Sequence, residues 1–116
     1  SACAQLEAAH LHPSVMVDCS HGNSEKQYQR QTAVVADVAT QVQSGNRQVF
    51  GVMIESHLVA GAQNLAIGHT DPRHLVYGQS VTDACVGWDD SVHMLEVLAE
   101  AVRTQRHHLA QSPSCA

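Results

Sequence analysis

The pattern that most constrains this chain is a pair of apolar runs flanking an amphipathic stretch within roughly forty residues, Val15 to Ile54. Val15-Met16-Val17 is a continuous apolar run of strand length, bounded by Pro13 and Gly22. Ser24-Glu25-Lys26-Gln27 matches a capping box, which predicts that a helix begins there with Ser24 as its N-cap. Val34, Val35, Val38 and Val42 then mark one buried helical face, and Gly45 supplies the stop. Val49 to Ile54 is the next strand. Strand, helix and strand at this spacing form a βαβ unit, with parallel strands and a right-handed crossover.

The flanks extend the pattern. Residues 2–11 have helical composition and close near His12-Pro13. Gly61 to Gly78 shows no strong periodicity and contains an Asp71-Pro72-Arg73 turn, so a long exposed loop is expected. A last helix starts near Asp89-Asp90-Ser91, where acidic residues suit the positive end of the helix dipole. Met94, Leu95, Leu98, Ala101 and Val102 are expected to line its inner face. The order is thus α, β, α, β, loop, α. A parallel pair is buried on both faces and needs neighbouring strands, and this chain has none left to supply them. The reading is α/β, a piece of a (β/α)8 barrel: residues 1–110 form part of one domain, and 111–116 a frayed tail. Ser1 in place of Met, opening directly into a helix, adds to the expectation of a chain cut from something longer.

Composition narrows the function classes. With 116 residues there is at most one domain. Aromatics are scarce, and a core of Val, Ala, Leu and Met suits strands buried on both faces. A net charge of −5 provides no electrostatic footprint for nucleic acid. No run is apolar enough to span a bilayer and no signal peptide is visible, so the cytoplasm is the expected compartment. Cys3, Cys19, Cys85 and Cys115 lack C-x-x-C pairing, which leaves reduced, structural thiols.

Three side chains stand where α/β proteins place their chemistry, at the carboxyl ends of strands. His21 follows the first strand, Glu55 closes the second, and Asp83 lies in the loop before the last helix. Adjacent parallel strands end about 5 Å apart, so an imidazole and a carboxylate from neighbouring ends can reach one ion. Nitrogen with carboxylate oxygen suits Mn, Fe, Co or Zn better than Ca. A single histidine at a strand end is more often a hydrogen-bonded structural residue. A buried carboxylate closing a strand is harder to explain without a partner. His57 reads either as an orienting neighbour of Glu55 or as a plain loop residue. His69, His74, His93, His107 and His108 read as surface residues.

Asp18-x-Ser20-His21-x-Asn23-Ser24, Gly51-Val52-Met53-x-Glu55-Ser56-His57-Leu58 and Ser80-x-Thr82-Asp83-Ala84-Cys85-x-Gly87-Trp88 together resemble the closing part of a class I 3-deoxy-D-arabino-heptulosonate 7-phosphate (DAHP) synthase. The resemblance runs in one register over about residues 13 to 106. It implies a (β/α)8 barrel enzyme of the shikimate pathway, with this chain carrying about strands 7 and 8 and their helices. The implied reaction condenses phosphoenolpyruvate with erythrose 4-phosphate and water, and releases phosphate. It also implies a divalent metal held by His21, Glu55 and Asp83, with a cysteine ligand outside this chain, so that Cys19 and Cys85 do not inherit that role. His21 would face phosphoenolpyruvate and Asp83 the erythrose phosphate hydroxyls, which makes both catalytic. The whole enzyme would be a homo-oligomer.

Two phosphorylated substrates call for several cationic clamps. Lys26, Arg30, Arg47, Arg103 and Arg106 fall in or beside expected helices and read as solvated, while Arg73 is in the loop. The phosphate clamps are therefore expected upstream, and the chain alone is expected to be inactive and poorly folded. Alternatives are a 3-deoxy-octulosonate 8-phosphate synthase and a non-catalytic metal-binding module derived from the barrel.

Overall fold

The computed structural model describes residues 1–111. Helix α1 spans Ala2–Ala8, with the Ser1 hydroxyl accepting from Ala4 N at its start. It ends short of the expected Leu11 because His10 adopts a left-handed φ of 58°. Strand β1, Val15–Asp18, pairs in parallel with β2, Val49–Met53, and α2, Gln31–Gln43, connects them. The strand–helix–strand order and the parallel pairing are as read from the sequence, and Gly45 beyond α2 takes a φ of 105°.

Helix α2 starts later than the capping-box reading placed it. Glu25 and Lys26 have φ of 54° and 60°, which no first helical turn can contain. Ser24 does not cap the helix: its hydroxyl donates back to the His21 carbonyl at 3.3 Å, and the chain reaches Gln31 through a 3-10 turn at Tyr28–Arg30. The turn that follows the strand overrides the local motif.

The expected loop, Gly61 to Gly78, is flanked by two short strands that the sequence did not announce. Strand β3, Val59–Ala62, pairs in parallel with the two-residue β4, Gln79–Ser80, so the chain has four described strands in two small sheets rather than two strands. Amides hold this second sheet together more than apolar packing does. Gln63 Nε2 donates to the carbonyls of Val76 and Gln79, and its Oε1 accepts from Val76 N. Gln79 Nε2 donates to the Ala60 carbonyl. Such a clasp has no hydrophobic alternation to announce it.

Helix α3, Trp88–Gln111, packs along α2. One core group joins Cys19, Val35, Val86 and Met94, and a second joins Val38, Ala39, Val42 and Ala101. Leu95 is 55% exposed, contrary to expectation. The buried stripe runs through Ser91, Met94, Leu98 and Ala101, so Leu95 falls one position round the helix. Ser91 tolerates burial because its hydroxyl donates to the Gly87 carbonyl at 2.7 Å and also contacts the Ser56 hydroxyl. Gln111 is the last residue of α3 and not part of a tail; the rest of the expected frayed tail, 112–116, lies outside the described residues.

The other face of the β1–β2 pair is open. Met16 is 55% and Phe50 66% exposed, and each strand pairs on one side only among the described residues. Among the described residues Cys3, Cys19 and Cys85 form no disulfide, and Cys115 lies outside them. Cys19 is fully buried, and burial, with the charge of Asp18, pushes its thiol above the ordinary range. In the complete polypeptide near neutral pH, Cys19 is expected to resist iodoacetamide and to react once concentrated urea opens the core. Peptide mass spectrometry reads the sites. Equal labelling of Cys19 with and without urea would mean that the packing around Val35, Val86 and Met94 is not formed.

Candidate metal centre

His21 and Glu55 owe their places to strand ends. Asp18 and Met53 are register partners at the ends of β1 and β2. Past Asp18 the chain turns sharply, and His21 takes a left-handed φ of 46° that lays its ring back over the strand ends. Glu55 follows β2 by two residues and is held from below by α2. The buried side chain of Gln31 accepts from Glu55 N at 2.8 Å and donates to the Glu55 carbonyl at 3.0 Å, as a neighbouring strand would.

Asp83 arrives by a different route. The segment before α3 is stitched to the segment after β2: Val86 N donates to the Glu55 carbonyl, His57 N to the Val86 carbonyl, and Gly61 and Cys85 exchange both backbone bonds. These bonds hold the Ser80–Cys85 turn over the strand ends. His21, Glu55 and Asp83 each then offer a ligand atom within 4.8 Å of the others. His21 Nε2 is 3.3 Å from Glu55 Oε1 and 3.8 Å from Asp83 Oδ2. Burial is graded: the side chains of Glu55, His21 and Asp83 are 22%, 49% and 74% exposed.

The electrostatics are those of a cation site. The hydrogen bond to Asp18, then the charges of Asp18 and Glu55, hold the His21 imidazole above its ordinary proton affinity; a smaller opposing effect comes from desolvation, and Asp83 adds slightly to the rise. The same negative charge favours a divalent cation, which takes the place of the Nε2 proton when it binds. One nitrogen and two carboxylate oxygens form a borderline-hard donor set. Bonds of about 2.0–2.2 Å to a shared ion put ligand atoms roughly 3–3.5 Å apart. The His21–Glu55 separation of 3.3 Å lies within that range and the His21–Asp83 separation of 3.8 Å just beyond it, on the most exposed of the three side chains, so the donor set fits a divalent ion once Asp83 closes in by a few tenths of an ångström.

Neighbouring groups hold these side chains in place. The Ser20 hydroxyl donates to Glu55 Oε2 at 2.7 Å, and Ser20 N to Asp18 Oδ1 at 2.8 Å. His21 Nδ1 lies 2.9 Å from Asp18 Oδ2. A carboxylate only accepts, so the hydrogen resides on Nδ1. Asn23 Nδ2 donates to the Asp18 carbonyl at 2.6 Å. His57 is exposed, and its Nδ1 accepts from Leu58 N, which makes it a loop residue rather than a partner of Glu55. His69, His74, His93, His107 and His108 do not join the gathered set. Cys19 points into the core, and Cys85 Sγ bonds to the Asp83 carbonyl; burial, then the Glu55 charge, keeps the Cys85 thiol above its ordinary range despite a hydrogen bond with Ser80.

A cleft of about 230 Å³ opens at the three residues, and Ser20, Lys26 and Tyr28 help to line it. Lys26 thereby differs from its reading as a solvated helical cation. It stands in the turn before α2, left-handed, at the lip of the site. A capping-box match concealed it, and the only signal in the sequence was its distance of five residues from His21.

Comparison with known proteins converges on one family. The model of the DAHP synthetase I family matches residues 1–96. The phospho-2-dehydro-3-deoxyheptonate aldolase of Haemophilus influenzae is 50% identical over 104 residues, which are 90% of this chain and 28% of that protein. The Phe-sensitive phospho-2-dehydro-3-deoxyheptonate aldolase of Escherichia coli is 48% identical over 101 residues, 87% of this chain and 28% of that one. The solved phospho-2-dehydro-3-deoxyheptonate aldolase of Francisella tularensis superimposes with a TM-score of 0.80 at 50% identity, over 89% of this chain and 28% of its own. The chain therefore spans about 28% of the length of these relatives.

Proposed function

Because the chain belongs to the DAHP synthetase I family, we propose that it supplies the metal-binding part of a DAHP synthase active site, where phosphoenolpyruvate, erythrose 4-phosphate and water yield DAHP and phosphate. The observation that carries this reading is the convergence of His21, Glu55 and Asp83 at the ends of β1 and β2. Residues 1–110 are then the C-terminal part of a (β/α)8 barrel, with β1 and β2 as about its strands 7 and 8. The uncovered Met16 and Phe50 support that placement, because barrel strands are covered on both faces.

His21, Glu55 and Asp83 hold one divalent ion (Mn, Fe, Co or Zn), which when bound supplies Lewis acidity towards an aldehyde or a water. Glu55, the least exposed of the three, serves only to hold it. His21 and Asp83 are more open and also meet substrate: His21 faces phosphoenolpyruvate, and Asp83 the hydroxyls of erythrose 4-phosphate. Lys26 offers a cation at the cleft, where a phosphorylated substrate would gain from it. A further ligand and the main phosphate clamps belong to the rest of the polypeptide, which acts in the cytoplasm as a homo-oligomer. No helix among the described residues is long and apolar enough to cross a membrane.

The test is consumption of phosphoenolpyruvate, followed by its ultraviolet absorbance, with manganese and each of two sugar phosphates. The complete polypeptide is expected to turn over with erythrose 4-phosphate and not with arabinose 5-phosphate. The 116-residue chain alone is expected to show no turnover. Preference of the complete polypeptide for arabinose 5-phosphate would overturn the assignment, and turnover by the isolated chain would overturn the division of the site.

A further inference from the structure

We infer that Asp18 is the positioning residue of this site: its carboxylate fixes the His21 ring with Nε2 turned to the ion and, through Ser20, sets the orientation of Glu55. The inference rests on the metal reading above and goes beyond it, since Asp18 is not among the three gathered ligand groups.

The two carboxylate oxygens of Asp18 have separate tasks. Oδ2 takes the Nδ1 hydrogen of His21 at 2.9 Å, and Oδ1 takes the backbone N–H of Ser20 at 2.8 Å. A neutral imidazole has one hydrogen and one lone pair on its two ring nitrogens. Anchoring the hydrogen on Nδ1 leaves the lone pair on Nε2, the atom that faces Glu55 and Asp83. The second task acts one residue further along. With its backbone pinned, Ser20 directs its hydroxyl to Glu55 Oε2 at 2.7 Å, which leaves Oε1 as the oxygen nearest Nε2. Asn23 closes the turn from the other side by donating to the Asp18 carbonyl. One side chain at the end of β1 thus aligns one ligand directly and a second at one remove. An outer carboxylate on a ligating histidine fixes its tautomer and raises its basicity.

A purely structural role, as the acceptor that shapes the turn, predicts something different for Asp18→Asn. The amide keeps the shape and can still accept from Ser20 N–H, but its second terminal atom becomes an NH2 donor. That donor faces Nδ1 and drives the hydrogen of His21 to Nε2, the wrong tautomer for binding.

The experiment uses the complete polypeptide with histidine labelled in 15N, Zn²⁺ as the probe ion, and the His21 signals identified by their loss in His21→Ala. In mildly alkaline buffer, where the imidazole is neutral, the metal-free protein is expected to carry its single His21 hydrogen on Nδ1. In Asp18→Asn it is expected on Nε2, with Zn²⁺ affinity lowered by about 10–100-fold. Ser20→Ala, which leaves Asp18 in place, is expected to weaken Zn²⁺ with the tautomer unchanged, and serves if Asp18→Asn does not fold. Unaltered Zn²⁺ affinity in His21→Ala would sink the metal reading itself. Weakened binding in His21→Ala with an unchanged tautomer and affinity in Asp18→Asn would sink the positioning role alone. If only Ser20→Ala folds, full Zn²⁺ affinity in that variant would remove the link from Asp18 to Glu55.

Discussion

Glu55→Ala is expected to lower the affinity of the complete polypeptide for Mn²⁺ or Zn²⁺ by more than the ~10–100-fold that loss of an outer partner costs, and to abolish metal-dependent turnover. Glu55 contributes one of the two carboxylates in the gathered set and is the least exposed of the three groups. On the proposed metal reading, its loss removes a ligand and also one of the two carboxylate charges that Glu55 and Asp83 bring to the gathered set. The fold should tolerate the change. Glu55 is anchored by its backbone to Gln31 and Val86, and neither bond uses the side chain. The metal-free thermal midpoint should therefore move little while metal binding collapses. Glu55→Gln separates the contributions, since it keeps an oxygen for the Ser20 hydroxyl but removes the charge. Titration calorimetry with Zn²⁺ reads both variants, and undiminished affinity in Glu55→Ala would take the residue out of the site.

Gln31→Leu is expected to destabilise the protein by about 1–3 kcal/mol, the cost of leaving a buried backbone donor without a partner. Gln31 is fully buried at the head of α2, on the face that continues through Val35, Val38 and Val42. Leucine is close in volume and apolar, so packing is largely retained and the hydrogen-bond loss is isolated. Glu55 N–H would lose its acceptor, while the Glu55 carbonyl would keep the bond from Val86 N. A shift of the urea midpoint with unchanged slope is the expected signature. If Glu55 holds the ion as proposed, weaker Zn²⁺ binding should accompany it, because the freed strand end carries that side chain. Equal stability of Gln31→Leu and the parent protein would show that the amide clamp is dispensable.

Gln31 also illustrates what a sequence conceals. A glutamine opening an apolar stripe looks like an ordinary polar residue at the start of a helix, and only the approach of β2 shows what its amide holds. Asp18 is similar: it is visible in the Asp18-x-Ser20-His21 run, but its two hydrogen bonds depend on the left-handed turn at His21. The same turn, continued by Glu25 and Lys26, defeated the capping-box reading. The β3–β4 pair escaped notice because two amide side chains hold it, and amides have no periodicity.

By itself the sequence determined the βαβ unit, the parallel pairing and most of the buried faces of α2 and α3. Those follow from apolar spacing, and the burial of apolar surface drives folding more strongly than any other contribution. It also named His21, Glu55 and Asp83, because α/β chains carry their chemistry at strand ends, and it pointed to the family through three linked motifs. Tertiary structure alone decided how those three residues meet. Asp83 lies 28 positions beyond Glu55, and it reaches the strand ends only through backbone bonds from Val86 and Cys85. It also decided which groups aim the ligands and that Lys26 opens onto the cleft. Hydrogen bonds are directional and depend on where a partner arrives from another part of the chain, so linear spacing carries little of that information.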